Sequence, residues 1–282
     1  MLKSLAVIIS LIISGIAVAQ NSPEFVAEVN GLAHCESVAF SPSTQLLYVS
    51  SMADKENGDG YISTVSLKGE IIDKHFITGL DDPKGIAISG EKLFVSDISV
   101  LIEADLSTGK IIKRHQGEGE VFLNDVAVSE NREVFVSDMS GSSIYKLNKD
   151  GEFSEWFSSS KLQTPNGLLV DEGQLYVAGW ASDESKNTEK TAGGFLQLEP
   201  SKKDLKALTR DLGNLDGIQK YDNNSFLVSA WDSGIIYKIH KDGNCEEILQ
   251  SEKSVGDLLY IRDKNLLILP LNFQNKLMIY KY

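Results

Sequence analysis

Asn124-Asp125-Val126-Ala127, then Phe135-Val136-Ser137-Asp138, Ile144-Tyr145-Lys146-Leu147 and the dipeptide Asp150-Gly151 form the stretch whose reading decides the fold. Each run is short, rich in β-branched and aromatic residues, and closed by turn-forming residues, which is how a strand reads. Asp-Gly between two such runs is a tight hairpin signal leading into a fourth strand. Four short strands in about 40–45 residues make one blade of a β-propeller.

The same pattern recurs along the chain. Aligned starts are Glu36-Ser37-Val38-Ala39, Lys84-Gly85-Ile86-Ala87, Asn124-Asp125-Val126-Ala127, Asn166-Gly167-Leu168-Leu169, Asp216-Gly217-Ile218 and Asp257-Leu258-Leu259, spaced by 48, 40, 42, 50 and 41 residues. Second strands follow, as in Leu175-Tyr176-Val177-Ala178 and Phe226-Leu227-Val228-Ser229, and third strands such as Ile236-Tyr237-Lys238-Ile239. No segment keeps a 3.6-residue apolar period over three turns, so the class is all-β. Six starts predict a six-bladed propeller. The sixth repeat supplies only three strands before the chain stops. Phe25-Val26-Ala27-Glu28-Val29 stands ahead of the first repeat without a blade of its own, so it is expected to complete blade six and close the ring.

Outward from the repeat, the first residues read as an address. Lys3 is followed by an apolar run from Leu5 to Ile16 and by Ala17-Val18-Ala19, the small-residue pattern of a signal peptide. The domain reading is therefore a signal peptide over 1–19, cleaved after Ala19, and one propeller domain over 20–282. The apolar run is shorter than a membrane span needs. The expectation is an exported protein, periplasmic or secreted, with no membrane span after cleavage. Net charge is −13, from 27 basic and 40 acidic residues. That balance argues against nucleic acid and anionic membrane surfaces, both of which require a basic patch. What remains is an acidic globular protein, and composition alone says nothing of its chemistry; the small-molecule substrate expected for it comes from the site residues and the resemblance they carry.

In a propeller the innermost strand of each blade lines the central channel, so the repeat starts converge at one mouth. They read Glu36, Lys84, Asn124, Asn166, Asp216 and Asp257, on strands otherwise apolar at Val38, Ile86, Val126, Leu168 and Ile218. Five of the six offer oxygen. Carboxylates and carboxamides facing one point suit a hard cation, calcium before magnesium. The four histidines are scattered, which argues against a His-type zinc site. Asn-Gly and Asp-Gly are equally ordinary turn dipeptides, and Lys84 offers to neutralise Glu36, Asp216 or Asp257 without any metal. Spacing alone leaves these readings open.

The residues Glu36 in Glu-Ser-Val-Ala, Asn124-Asp125 in Phe-Leu-Asn-Asp, Pro165-Asn166-Gly167 and Leu215-Asp216-Gly217, in order and at blade spacing, resemble the SMP-30/gluconolactonase superfamily of six-bladed propellers and, more distantly, diisopropyl fluorophosphatase. The resemblance covers nearly all of the chain after residue 19. It implies that Glu36, Asn166 and Asp216 bind one divalent cation, calcium first with magnesium, manganese or zinc as alternatives, and that Asn124 lies beside it as ligand or substrate contact. The implied reaction is hydrolysis of a small lactone or ester. Two departures stand out. Phe122 occupies the position where the family's lactonases carry an arginine that holds a sugar-like substrate, and Lys84 sits among the ligands.

On this reading Asp216 orients or deprotonates the attacking water, Asn124 and Asn166 donate amide hydrogens to substrate oxygens, and Lys84 stabilises developing negative charge. Asp257 is either a reserve acid or base contacting substrate, or the partner of Lys84. Phe122 from an inter-blade link would line the substrate pocket, and Trp180 and Trp231 from the loops after second strands would line it too or pack between blades. Residues 181–194 form a long polar insertion and a candidate lid. Cys35 and Cys245 are expected at opposite faces, too far apart to bridge. The alternative to a hydrolase is a non-catalytic propeller that binds a small ligand or protein partner on the same face.

Overall fold

A computed structural model describes residues 22–54, 57–119, 121–180 and 193–282. The expected signal peptide lies outside the described residues, as do residues 181–192 of the candidate lid. Among the described residues, 24 strands form six four-stranded antiparallel sheets. No described helix is long and apolar enough to cross a membrane.

Blades one to five run in simple meander order over 35–80, 83–116, 123–158, 165–207 and 215–250. Blade six combines Leu259–Ile261, Leu266–Leu271 and Lys276–Lys281 with the N-terminal strand Glu24–Asn30, which pairs antiparallel with Lys276–Lys281. The ring is closed by the first strand, as the orphan N-terminal run requires. Val29 is buried in that join against Leu277 and Ile279 of blade six and Val38 and Val49 of blade one. The other core clusters also straddle neighbouring blades. One joins Tyr48 and Ile62 of blade one to Ile86 and Val95 of blade two, and another joins Tyr176 and Phe195 of blade four to Phe226 and Val228 of blade five. Alternation along each strand puts one apolar face toward each neighbour, so the sandwich of blades is itself the core.

A serine girdle ties the inner strands together. Ser137 Oγ accepts from the Asp125 amide of its own blade at 2.8 Å and donates to the Asn166 carbonyl of the next at 2.7 Å. Ser229 does the same between Gly217 N at 2.9 Å and the Gly256 carbonyl at 2.8 Å. Ser96 donates to the Asn124 carbonyl. These second-strand serines satisfy buried backbone groups that sheet pairing leaves open near the axis.

Cys35 is buried and Cys245 exposed on the outer strand Cys245–Gln250, and both are free thiols. Burial pushes the Cys35 thiol up to about 12, so it is inert at neutral pH.

Candidate functional site

Strand register defines what reaches the axis. The pairs Cys35–Ser51, Pro83–Asp97, Leu123–Asp138, Pro165–Gly179, Leu215–Ala230 and Val255–Leu271 are equivalent in the six blades. One residue beyond the first member of each pair comes the ring Glu36, Lys84, Asn124, Asn166, Asp216 and Gly256. One residue beyond the second member comes an upper tier of Met52, Ile98, Met139, Trp180, Trp231 and Asn272. The residue after each ring position forms a lower tier of Ser37, Gly85, Asp125, Gly167, Gly217 and Asp257.

This corrects the sequence alignment in blade six. Gly256, not Asp257, holds the ring position, and Asp257 makes a parallel bridge with Ser37 one tier down. Its Oδ2 accepts from Ser37 Oγ at 2.7 Å. Asp257 therefore lines the lower channel with Asp125 and not the mouth, and its assignment as a substrate contact does not hold in this geometry. It does not pair with Lys84 either.

The lower-tier glycines also settle what the Xaa-Gly dipeptides are for. Gly85, Gly167 and Gly217 lie inside strands and have no positive φ, so they are not turn residues. A Cβ on Gly85 would collide with the Asp125 backbone, on Gly167 with the Asp216 carbonyl, and on Gly217 with the Asp257 backbone. Glycine is required because neighbouring blades approach most closely here.

Above the glycines a cavity of about 300 Å³ opens at the mouth. Its floor holds Glu36, Lys84, Asn124, Asn166 and Asp216 from the ring. Its walls are Met52, Met139, Phe122, Trp180, Trp231 and Phe273, with Asn272 as a polar exception. Trp180 lies 6.0 Å from Trp231 between ring centroids, and Trp231 meets Phe273 edge-on at 5.6 Å, so blades four to six present a continuous aromatic wall. Phe122 is held by its amide, which donates to Asp138 Oδ1 at 2.9 Å. Asp97 likewise accepts from the Asp81 and Asp82 amides, so these aspartates brace inter-blade links rather than face the cavity.

The carboxamides are aimed. Asn166 Nδ2 donates to Asp216 Oδ2 at 3.0 Å, and Asn124 Nδ2 donates to the Met139 thioether at 2.8 Å. A thioether accepts, as does a carboxylate oxygen, so in each amide the nitrogen and not the oxygen faces that partner. Asn124 Oδ1, Asn166 Oδ1 and Glu36 Oε2 are buried without a hydrogen-bond partner. Three orphaned oxygens on one ring are costly unless something electropositive meets them. Among the described residues no group of three or more His, Cys, Asp or Glu side chains is placed to hold a metal ion, so carboxamide oxygens must complete any cation cage here.

The electrostatics agree. Glu36, Asp125, Asp216 and Asp257 are all buried near the axis, against one buried cation, Lys84. Burial, reinforced by the charge of Asp125, pushes the Asp216 carboxyl up to about 8. Burial likewise raises Asp125 to about 7, although the Leu168 and Val126 amides oppose it. Glu36 is held well above the carboxylate range by burial and then by Asp216. Lys84 does not form an ion pair with these acids. Its Nζ bonds Asp82 at 3.3 Å and the Met52 thioether at 3.0 Å, and lies 5.3 Å from the centroid of the Phe122 ring. The ammonium is drawn to the rim, which leaves the centre of the floor to oxygen donors.

No protein-family model and no curated protein matches this chain. Solved structures match it by shape. A putative gluconolactonase superposes with TM-score 0.69 at 16% identity over 93% of this chain and 92% of its own. A gluconolactonase from Xanthomonas campestris gives 0.67 at 13% identity over 93% and 95%. Virginiamycin B lyase from Staphylococcus aureus gives 0.62 at 10% identity over 91% and 98%. The chain thus shares the six-bladed propeller fold of the gluconolactonase structures, and it also superposes on the lyase.

Proposed function

We propose that this protein is an exported hydrolase of small lactones or esters that binds one divalent cation, calcium first, at the channel mouth. Glu36, Asn166 and Asp216 would hold the cation, with Asn124 beside them. The observation that carries this reading is the set of three buried, unpartnered oxygens on Glu36, Asn124 and Asn166. Hard divalent cations take such mixed carboxylate and amide oxygens in flexible geometry.

When bound, a divalent ion polarises a carbonyl oxygen. The chain's own residues do the rest. Asp216 would orient the attacking water or take its proton. Asn166 fixes that carboxyl through its Nδ2 bond. Lys84, at the cavity wall, is placed to face a developing negative charge on substrate oxygen. Trp180, Trp231, Phe273 and Phe122 give the pocket an apolar body, which selects a lactone or ester with an aromatic or aliphatic substituent over a polyhydroxylated sugar lactone.

Lys84 also supports a second reading, a non-catalytic binder, because a buried ammonium beside an aromatic wall recognises an anionic ligand without chemistry. One experiment separates the two. Metal analysis of the purified protein should find about one divalent ion per chain. Hydrolysis of aromatic and aliphatic lactones should require it and disappear in Asp216→Ala. A protein that binds no cation and turns over none of these substrates, yet binds an anionic ligand at the mouth, is the binder.

A further inference from the structure

A second cavity lies far from the mouth. A cleft of about 600 Å³, twice the mouth cavity, opens between blades two and three. It is lined by the turns that join first to second strands, at the end of the blades opposite the mouth. Its buried floor breaks the fold's own pattern. Outer-strand residues paired two strands out from the serine girdle are Val29, Ile77, Phe157, Leu208 and Leu249 in five blades. Blade two places His115 there. The ring is 5% exposed, and its Nε2 lies 2.9 Å from Glu103 Oε2. Glu103 is in turn the one acid at its register position, where other blades carry Thr64, Lys146, Gln197, Lys238 and Ile279. A buried polar pair in place of hydrocarbon weakens the blade junction, and such local exceptions to a fold's rule gather at binding sites.

The rest of the cleft says what it suits. Lys92, Lys113, Arg132 and Lys149 border it against only Glu91 and Glu103, a net positive site on a chain of net charge −13. Lys92 reaches Glu103 at 2.6 Å, which leaves the carboxylate neutralised rather than repelling an anion. Phe94, Val134 and Leu147 supply an apolar wall. We propose that this cleft is a second ligand site, independent of the channel mouth, for an amphipathic organic anion: an aromatic body bearing a carboxylate, sulfonate or phosphate. The body packs on the apolar wall and the head group meets the cationic rim, with His115 as the polar floor.

Anilinonaphthalene sulfonate, an aromatic sulfonate whose fluorescence rises on binding, tests this with the full folded chain. Saturable binding is expected in the wild type. The double variant R132E/K149E changes two surface turns and should weaken it at least tenfold. H115L, which installs the apolar residue type of the other blades, should weaken it while melting no lower than wild type. The charge-matched K202E/K253E should bind like wild type. An absence of saturable binding, or wild-type affinity in either R132E/K149E or H115L, overturns the proposal.

Discussion

Asn166 Nδ2 and Asp216 Oδ2 meet at 3.0 Å across the interface of blades four and five, while the Asn166 oxygen is buried without a hydrogen-bond partner. The pair links orientation to charge. Asp216 is buried beside other acids, so its ionised form is disfavoured in the empty fold, yet its carboxylate is what a cation would need. Site and stability therefore oppose each other. Asp216→Asn removes an uncompensated buried acid and should stabilise the cation-free protein by about 1 kcal/mol, a rise of roughly 2–4 °C in Tm. The same change should abolish stabilisation by added calcium. Thermal melts with and without about 1 mM calcium (roughly a thousandfold above a micromolar Kd) check both halves; a variant that melts lower without calcium refutes the opposition.

The buried acids also set a pH dependence. Asp216 and Asp125 bind protons more tightly folded than unfolded, with carboxyls raised to about 8 and about 7. Between about pH 4, where the unfolded carboxyls ionise, and about pH 8, the unfolded chain holds fewer protons than the folded one, so stability falls as pH rises. Exposed acids act elsewhere. Asp105, held at about 2 by hydroxyl and amide donors of Ser107 and Thr108, contributes stability that is lost only as pH falls toward that value. The chelated protein should hence melt lower at pH 8 than at pH 5.5. Saturating calcium should remove or invert that slope. A chelated protein that is more stable at pH 8 would show that these carboxyls are not held protonated.

The fold was legible because each blade repeats one local pattern, a polar start followed two residues later by an apolar inner-strand residue. Five ring positions followed from it. The sixth did not, because Leu258 and Leu259 are both apolar and permit two registers; pairing Asp257 with the other acids chose the wrong one. Gly256, forty residues after Asp216 and two before Leu258, carried the correct signal. The upper tier was visible only as scattered loop residues. The aim of Asn124 and Asn166 was not legible at all, since it depends on Met139 and Asp216, which lie 15 and 50 residues away in sequence. His115 escaped notice for the same reason: only sheet register reveals that its equivalents are hydrocarbon.

Closure of the ring rests on Glu24–Asn30, whose removal would expose the edge of Lys276–Lys281 and the blade six face of a core cluster. Deleting residues 23–30 discards the buried Val29 side chain and the strand pairing together, a loss of at least about 3 kcal/mol. Tm should drop by roughly 10 °C or the chain should aggregate through the bared edge. A deletion variant that melts like the full chain would mean that blade six is complete without its first strand.

Lys84 is the residue on which cation binding and chemistry part company. Its ammonium is bound to Asp82 and Met52 at the rim, yet its charge is felt by both Glu36 and Asp216 and favours their ionised forms. Lys84→Met keeps the stem and removes the charge. Without it, a divalent cation no longer meets electrostatic repulsion from the wall, and calorimetry should show tighter calcium binding, by about 1 kcal/mol or roughly fivefold in Kd. Hydrolysis should move the other way, with kcat falling about tenfold or more, because the oxygen that develops charge loses its donor. A variant in which affinity rises and turnover is unchanged would confine Lys84 to an electrostatic role at the rim. Lower calcium affinity would show instead that Lys84 supports the ligand geometry, through Met52 and the wall it anchors.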